Sequence, residues 1–530
     1  MATIETTAGE IPGTRSVAAR FLDHLDRWCA QLGDKINPIL VKETRQSLKS
    51  RQFVATFSMI LFAAVAWTIA GSLSMMPQIY TSPSAPRMMI GYYAVLALPM
   101  LLVVPLAAYR SLESEIDDGT LELLSITTLS PWQIVLGKLA SASLQMLLYF
   151  VTLFPCLAYA YSLRGIDLPT TLLLVASLAV AGLLMTVLGL FFAPTAKGRT
   201  GRISAMLTLI VLLVLAEYGV GSVVVGMILY GNPLSQAELL FTVLATTGLA
   251  VLLGHLLLTA TAAQLTPETE NRSTSLRLSL LALTSGCIVT MALAILVLGE
   301  PGFMVYAVGL FIIAGLWTFC GSLMVSERAT ITPRIRRELP SSFLGRLFLT
   351  WLTPGPTTGL VFTIIVVSVL AMMHQISLAW IIRSGTVPGG IAPQLNRFFG
   401  QSGLLAPAYL ICFLVAVRLL MQVVRLRNNP RVEIGLAALI VVSLMAALVP
   451  YSLQLHYNDY QPLEDDSTWQ VTNWIFTIGT ALDRGLPASQ IQKVVGAAVG
   501  LSIISVLAAW KTTRPRRIAT PKRVQEELAG

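Results

Sequence analysis

The sequence predicts an all-α, polytopic membrane protein with about 12 transmembrane helices. Of its 530 residues, 55% are hydrophobic and 12% are charged, whereas about a quarter of the residues in an ordinary soluble chain are charged. Runs of roughly 20 apolar residues, long enough to cross about 30 Å of hydrocarbon as a helix, recur along nearly the whole chain. These runs are continuous and do not alternate with polar residues, which excludes a transmembrane β-barrel.

The apolar windows and the basic residues together predict the topology. With the N-terminus inside, most of the 36 Lys and Arg residues fall in cytoplasmic segments, as the positive-inside rule requires. We therefore expect both termini in the cytoplasm and the chain in the plasma or inner membrane of the cell. The apolar windows lie at residues 53–73, 90–108, 138–161, 170–192, 203–230, 239–263, 276–298, 303–324, 357–382, 403–424, 433–453 and 494–510.

The charge balance and the cysteines exclude several kinds of partner. This topology and contact with anionic lipid account for the net charge of +9, so no nucleic-acid partner is expected. The five cysteines have no ligand-like spacing and the four histidines are not clustered with acids, so we predict no metal site. The external segment 454–493 is long enough for a small structured cap.

The cytoplasmic segment 1–52 contains two predicted helices that precede the first span. Apolar residues recur every three or four positions over residues 17–36, which indicates an amphipathic helix on the inner membrane surface or against a cytosolic domain. A second helix begins with Asn37 as N-cap and Pro38 at the first helical position. It brings Lys42, Arg45 and Lys49 to one side and leads into the first span.

The loop predicted over residues 109–137 has an unusual sequence for a cytoplasmic connection. It begins with acidic residues, including Glu113 and Glu115, and Gly119 then permits a sharp turn. Thr120 can cap a short helix whose apolar side chains need a membrane surface or a protein partner to cover them. That short helix comprises Leu121, Glu122, Leu123 and Leu124.

A capping box ends this loop. Ser130 is placed as the N-cap, Pro131 at the first helical position and Gln133 three residues after the cap. The third helix is therefore expected to start before the membrane does and to be about 45 Å long at about 1.5 Å per residue. Its excess length would form a cytosolic lever joined to the leucine helix.

Two stretches carry a resemblance to a known family. "NPILVKETRQSLKSR", followed one loop later by "EIDDGTLELLSITTLSPWQIVLGKL", resembles the permease subunits of type-2 ABC transporters, an exporter class. The resemblance covers roughly residues 37–263, and its most specific part is the Gly-Thr-Leu-Glu-Leu-Leu block with Leu129-Ser130-Pro131 after it. It implies a six-span permease core over residues 53–263, followed by six further spans.

The resemblance also implies roles for both stretches. The segment from Glu113 to Leu124 would be the coupling helix that docks into a groove on an ATPase subunit. The stretch from Asn37 to Arg51, with Pro38, Lys42, Glu43 and Arg45, would be the connecting helix at the membrane surface. The chain has no Gly-x-x-x-x-Gly-Lys-Ser/Thr loop, so we expect it not to be an enzyme and to bind no cofactor itself. ATP and magnesium would be held by a separate ATPase subunit in two copies.

Residues 264–510 form a second membrane half, followed by a basic cytoplasmic tail at 511–530. This half fits a degenerate internal repeat, because "PETENRSTSLR" falls where "KETRQSLKSR" falls in the first half. The loop 325–356 likewise has nearly the length and position of the 109–137 loop. The alternative is a homodimer formed through the first half, with six accessory spans.

Ionisable residues inside spans are costly and are candidates for function. Glu217, near the middle of the fifth span, is either a transport-path residue or a structural hydrogen-bonding group. Arg418 is expected to snorkel, and His255 and His374 to be satisfied core groups. Gly182, Gly189, Gly219 and Gly226 are expected to mark close helix packing.

Three functions remain open at this point. The first is the membrane permease of an ATP-driven exporter. The second is a secondary active transporter, because 12 spans in two halves with both ends inside is also that architecture. The third is a transport-inactive membrane scaffold with the same fold. The cargo is not encoded in any motif that we recognise.

Overall fold

The structure is a computed structural model of the chain. It describes residues 38–77, 79, 81–120, 129–195, 198–231, 235–267, 270–327, 342, 345, 349–383, 396–425, 432, 434–459 and 468–512. The amphipathic helix expected over 17–36, the Asn37 cap, the leucine helix Leu121, Glu122, Leu123 and Leu124, and the tail beyond residue 512 lie outside the described residues.

The described part of the chain contains 12 helices long and apolar enough to cross a membrane. It contains no β-strand, so the predicted all-α polytopic fold is confirmed. Two shorter helices, α1 and α13, complete the set. The helices are α1 (Pro38–Leu48), α2 (Arg51–Ser74), α3 (Ala85–Asp117), α4 (Pro131–Ser162), α5 (Leu168–Phe192), α6 (Arg199–Tyr230), α7 (Gln236–Leu265), α8 (Ser273–Leu298), α9 (Glu300–Val325), α10 (Pro356–Arg383), α11 (Phe398–Val424), α12 (Ile434–Tyr457), α13 (Trp474–Asp483) and α14 (Ala488–Thr512).

The predicted loop 109–137 is wrong at its start, whereas the predicted start of the third helix at Pro131 is confirmed. Helix α3 continues to Asp117 and α4 begins at Pro131, so the connection is limited to residues 118–130. The error arose because an apolar window detects only the part of a helix that lies in hydrocarbon, whereas α3 extends beyond it with polar residues. A π-helical turn at Pro99–Val103 interrupts α3 between two prolines, where a regular hydrogen-bond ladder cannot form.

The chain divides into two compact units within or next to α7. Unit 1 comprises Met1–Ser235 and Thr246–Leu265, and unit 2 comprises Gln236–Ala245 and Thr266–Gly530. In unit 1, α3 contacts α2, α4, α5 and α6. In unit 2, α11 contacts α9, α10, α12, α13 and α14.

Glycines set the closest helix approach in unit 1. A Cβ on Gly182 would lie 3.1 Å from the Met100 carbonyl oxygen, and one on Gly189 would lie 2.6 Å from the Pro105 carbonyl oxygen. These two glycines therefore mark close packing of α5 on α3, as predicted. The same expectation for Gly219 and Gly226 is wrong, since a Cβ at either position would meet no atom within 4 Å.

His374 confirms the prediction of a satisfied core histidine in unit 2. Its Nε2 lies 2.9 Å from the Phe399 carbonyl oxygen and its Nδ1 lies 2.7 Å from the Tyr306 hydroxyl. A carbonyl can only accept, so Nε2 donates and Nδ1 accepts from the tyrosine. Arg418 donates to the Thr357 hydroxyl at 3.1 Å.

A small structured cap also forms between α12 and α14, as predicted for segment 454–493. Asn473 accepts a hydrogen bond from the Phe476 amide and caps α13. Its own amide donates to the Gln470 side chain at 2.8 Å, and Gln470 donates to Gln454 at 2.5 Å. These buried amides join the cap to the end of α12.

Candidate functional site

A buried cluster of charges joins three helix ends in unit 1. Its centre is Lys138, near the start of α4, whose side chain is only 2% exposed. The ammonium lies 3.1 Å from a carboxylate oxygen of Glu43 on α1 and 3.0 Å from one of Glu115 in the last turn of α3. One lysine thus neutralises two acids from two other helices.

Ser111 adds two hydrogen bonds to this cluster. Its hydroxyl accepts from the Lys138 ammonium at 2.8 Å and donates to the second carboxylate oxygen of Glu43 at 2.9 Å. Because Ser111 lies one turn before Glu115 on α3, both residues face the same side. The buried charges are therefore all paired, and the ammonium and the Glu43 carboxylate are also hydrogen-bonded, which is the condition under which charges are tolerated away from water.

The position of Glu43 follows from the amphipathic pattern of α1. Ile39 and Glu43 are the buried residues of this helix and lie one turn apart, on the face that packs against α4. Lys42, Arg45 and Lys49, which are predicted to lie on one side of the helix, are exposed. Lys42 reaches Glu115 at 3.1 Å with a side chain that is 57% exposed, so this outer ion pair contributes little stability.

The connection between α3 and α4 starts and ends at defined caps. Gly119 adopts φ +66°, a left-handed conformation that ends α3 and that glycine adopts without strain. The Thr120 hydroxyl donates to the Glu115 carbonyl at 3.1 Å, so it caps α3. At the other end, Ser130 and Gln133 form the predicted capping box of α4.

Glu113 and Asp117, two other acids near the end of α3, also contact residues of unit 1. Glu113 accepts a hydrogen bond from the Tyr109 hydroxyl at 3.2 Å, and Asp117 forms an ion pair with Arg202 at the start of α6. Glu113 and Glu115 therefore belong to the end of α3 and not to a loop. Their contact with an ATPase stays a prediction, and in the structure the Glu115 carboxylate is held by Lys138.

This arrangement can transmit a displacement mechanically. The ends of α1, α3 and α4 are joined through one buried ammonium, and α6 is joined to α3 through Asp117. Anything that moves the 118–130 connection would move these helix ends together. Lys138 is not among the predicted site residues, although a lone lysine between Gly137 and Leu139 at the start of a span indicates a possible functional position.

Glu217 lies on the buried side of α6, in line with Leu213 and Val224. One turn later, a Cβ on Gly221 would lie 3.9 Å from the ring of Tyr93 on α3. The Tyr93 hydroxyl is buried without a hydrogen-bond partner among the described residues. The role of Glu217 in a transport path stays a prediction, with Tyr93 as the neighbouring polar group.

Among the described residues, no group of three or more His, Cys, Asp or Glu side chains could hold a metal ion. Comparison of the chain with protein-family models, with curated proteins and with solved structures returned no match.

Proposed function

We propose that this chain is the membrane permease of an ATP-driven exporter, in which a separate ATPase subunit moves the spans through the 118–130 connection. The observation that supports this proposal is the Lys138 cluster. It joins the helix that enters the first span to both helices that flank the connection. A connection built only to close a loop does not need such a buried junction.

The cost of burying these charges argues for a mechanical role. A buried ion pair is often no more stable than well-packed apolar residues of the same volume. Ion pairs differ from apolar contacts in that they fix the relative position of the helices. The ammonium holds both carboxylates at hydrogen-bonding distance, whereas apolar surfaces can slide past each other. A push on the connection would therefore reach α1, α3 and α4 as one body.

The connection also carries side chains that require a cover. By the resemblance described above, Leu121, Leu123 and Leu124 would enter a groove on the ATPase, with Glu122 at its edge. Two ATPase copies would bind ATP and magnesium, and their closure would switch the spans between access states. Glu217 is the candidate residue for contact with the cargo.

Co-purification tests this proposal. The detergent-solubilised chain would be co-expressed with the ABC ATPase subunits encoded in the same genome, as wild type and as Leu123→Asp plus Leu124→Asp. A matched control, Ser162→Asp plus Arg164→Asp, adds the same residues at exposed positions at the opposite end of α4. We expect the ATPase to co-purify with wild type and control and to be lost from the leucine variant.

Two results would contradict the proposal. If no ATPase binds the wild-type chain, secondary transport becomes the better interpretation. If the ATPase binds the leucine variant as well as it binds the control, the connection is not the docking element.

A further inference from the structure

One buried tyrosine of unit 1 lacks the hydrogen bond that the others make. Among the described residues six tyrosines are buried, and five of them bond through their hydroxyls: Tyr92 to Thr68, Tyr109 to Glu113, Tyr149 to Thr56, Tyr306 to His374 and Tyr409 to the Val471 carbonyl. The sixth, Tyr93 on α3, is only 9% exposed, yet its hydroxyl has no partner in the part of the chain that the structure describes. A buried hydroxyl left unpaired is costly, which makes Tyr93 a candidate contact for a ligand.

The Tyr93 side chain points towards α6. An added Cβ on Gly221 of α6 would lie 3.9 Å from its ring, and Glu217 precedes Gly221 by one helical turn, on the same face. The charge of Glu217 acts on the Tyr93 hydroxyl, but no hydrogen bond joins the two groups. An acid and an unpaired hydroxyl are therefore neighbours with a gap between them.

The described spans of unit 1 offer Glu217 no cation to pair with. It lies near the middle of the 32-residue helix α6, whereas the arginines of α3 and α6 lie within about two turns of a helix end. Of these, Arg202 already pairs with Asp117, and Lys138 on α4 is held by two other carboxylates. A carboxylate in the middle of a span is tolerated when it is neutral or when a cation lies beside it.

The surroundings of Glu217 are apolar and open to one side. Leu213 and Val224, on the same face of α6, are buried. Tyr218 is 78% exposed, and a Cβ on Gly219 would meet no atom within 4 Å. Glu217 itself is partly exposed, so a molecule dissolved in the membrane can reach its carboxylate from the side of the helix.

These groups suit an ammonium better than a metal ion. Hard metal cations take about six or more oxygen ligands, whereas the described side chains here supply the two carboxylate oxygens of Glu217 and the hydroxyl of Tyr93. A primary ammonium has three N–H donors, so it can donate to both residues at once. The face of the Tyr93 ring adds cation–π attraction, and an apolar tail would lie along the apolar surface of α6.

We propose that Glu217 and Tyr93 bind the cargo, and that the cargo is an amphipathic primary amine in its protonated form. The ammonium fills the gap between the two residues, where it neutralises the Glu217 carboxylate and donates to the Tyr93 hydroxyl oxygen. The apolar part of the molecule remains in the hydrocarbon beside α6. This inference rests on the proposed function for its transport step and extends that function to the class of cargo.

Binding of a fluorescent amine to the chain alone tests the site. The chain would be placed in phosphatidylcholine nanodiscs and titrated with dansylcadaverine, which carries a primary ammonium, and the signal of empty nanodiscs would be subtracted. N-pentyl dansylamide is the neutral control, and N-dansyl-6-aminohexanoate is the anionic one. We expect dansylcadaverine to bind at least about tenfold more tightly than either control. Equal binding of the three probes would overturn the inference.

Substitutions assign the binding to the two residues. We expect Glu217→Gln to weaken dansylcadaverine binding by about tenfold or more and Tyr93→Phe, which keeps the ring, by about threefold. Glu217→Asp keeps the charge and should lose less than Glu217→Gln. The matched controls are Tyr218→Phe and Glu300→Gln, at exposed positions, and both should bind as wild type does. Each variant's Tm would be measured, and wild-type affinity in Glu217→Gln would overturn the inference.

The cargo role and the proposed function can fail separately, because probe binding needs no ATPase. If the ATPase co-purifies but binding shows no preference for the amine, the class of cargo is wrong and the exporter proposal stands. If Glu217 binds the amine but no ATPase co-purifies, the amine site stands and the exporter proposal fails. In the assembled complex, dansylcadaverine should stimulate ATP hydrolysis by wild type and not by Glu217→Gln; binding without stimulation would overturn the cargo role.

Discussion

Replacing Lys138 with methionine tests whether unit 1 depends on its buried junction. Methionine is apolar, so Lys138→Met removes both charge contacts, leaving Glu43 without a cation and Glu115 with only the exposed Lys42. Breaking a buried ion pair by removing one partner costs about 3–5 kcal/mol. The two carboxylate side chains are 11% and 13% exposed, so partial hydration places the expected loss near the lower end, at about 3 kcal/mol.

The unfolding free energy can be measured by titrating the detergent-solubilised protein with SDS. Lys42→Ala is the matched control, because it removes an ion pair to the same Glu115 from an exposed position and should cost less than about 1 kcal/mol. A triple variant, Lys138→Met with Glu43→Gln and Glu115→Gln, removes the unpaired charges and should recover most of the loss. A Lys138→Met variant no less stable than Lys42→Ala would refute this account of the cluster.

Three further predictions concern backbone geometry and capping. Gly119→Ala should cost about 1 kcal/mol, because φ is +66° and only backbone strain opposes the Cβ; Gly119→Asn should cost less in the same SDS titration. Gly189→Ala should lower the apparent Tm, since its Cβ would lie 2.6 Å from the Pro105 carbonyl oxygen, whereas Gly226→Ala should leave it unchanged. The hydrogen bond from Thr170 holds the pKa of the Asp167 carboxyl, which caps α5, below its usual range. The stabilisation by the Asp167 carboxylate is therefore fully present above the pKa of the unfolded state, about 4, and is lost as pH falls through the lower pKa of the folded state. The apparent Tm of Asp167→Asn should therefore fall less between about pH 5 and pH 3 than that of wild type.

Local chemistry made the spans and the caps predictable. A run of apolar residues of sufficient length predicts a transmembrane helix, whichever helices pack beside it. The capping box at Ser130 and Gln133 and the turn at Gly119 likewise depend on residues within a few positions of each other. For such features the sequence holds all the relevant partners.

The contacts between distant residues could not be predicted in the same way. Glu43 and Lys138 are separated by 95 positions, and nothing near either residue indicates the other. Close packing at glycines could not be predicted for the same reason. Gly189 and Gly226 both lie in apolar spans, but only Gly189 is close to a neighbouring backbone. Only the tertiary arrangement distinguishes them.

The position of the Lys138 cluster near helix ends explains how a membrane protein can contain it. A charge at the middle of the bilayer is very costly, and the cost falls towards the helix ends. Lys138 lies within the first two turns of α4, where the Ser111 carbonyl and the Glu43 carboxylate are within reach of its ammonium. An apolar junction at this depth would face partly hydrated backbone and would not fix the helices along their axes. Under the proposed function, a partner would also apply force at the helix ends. Buried ions are least costly there, and a rigid junction at the same place would transmit the movement to all the joined helices.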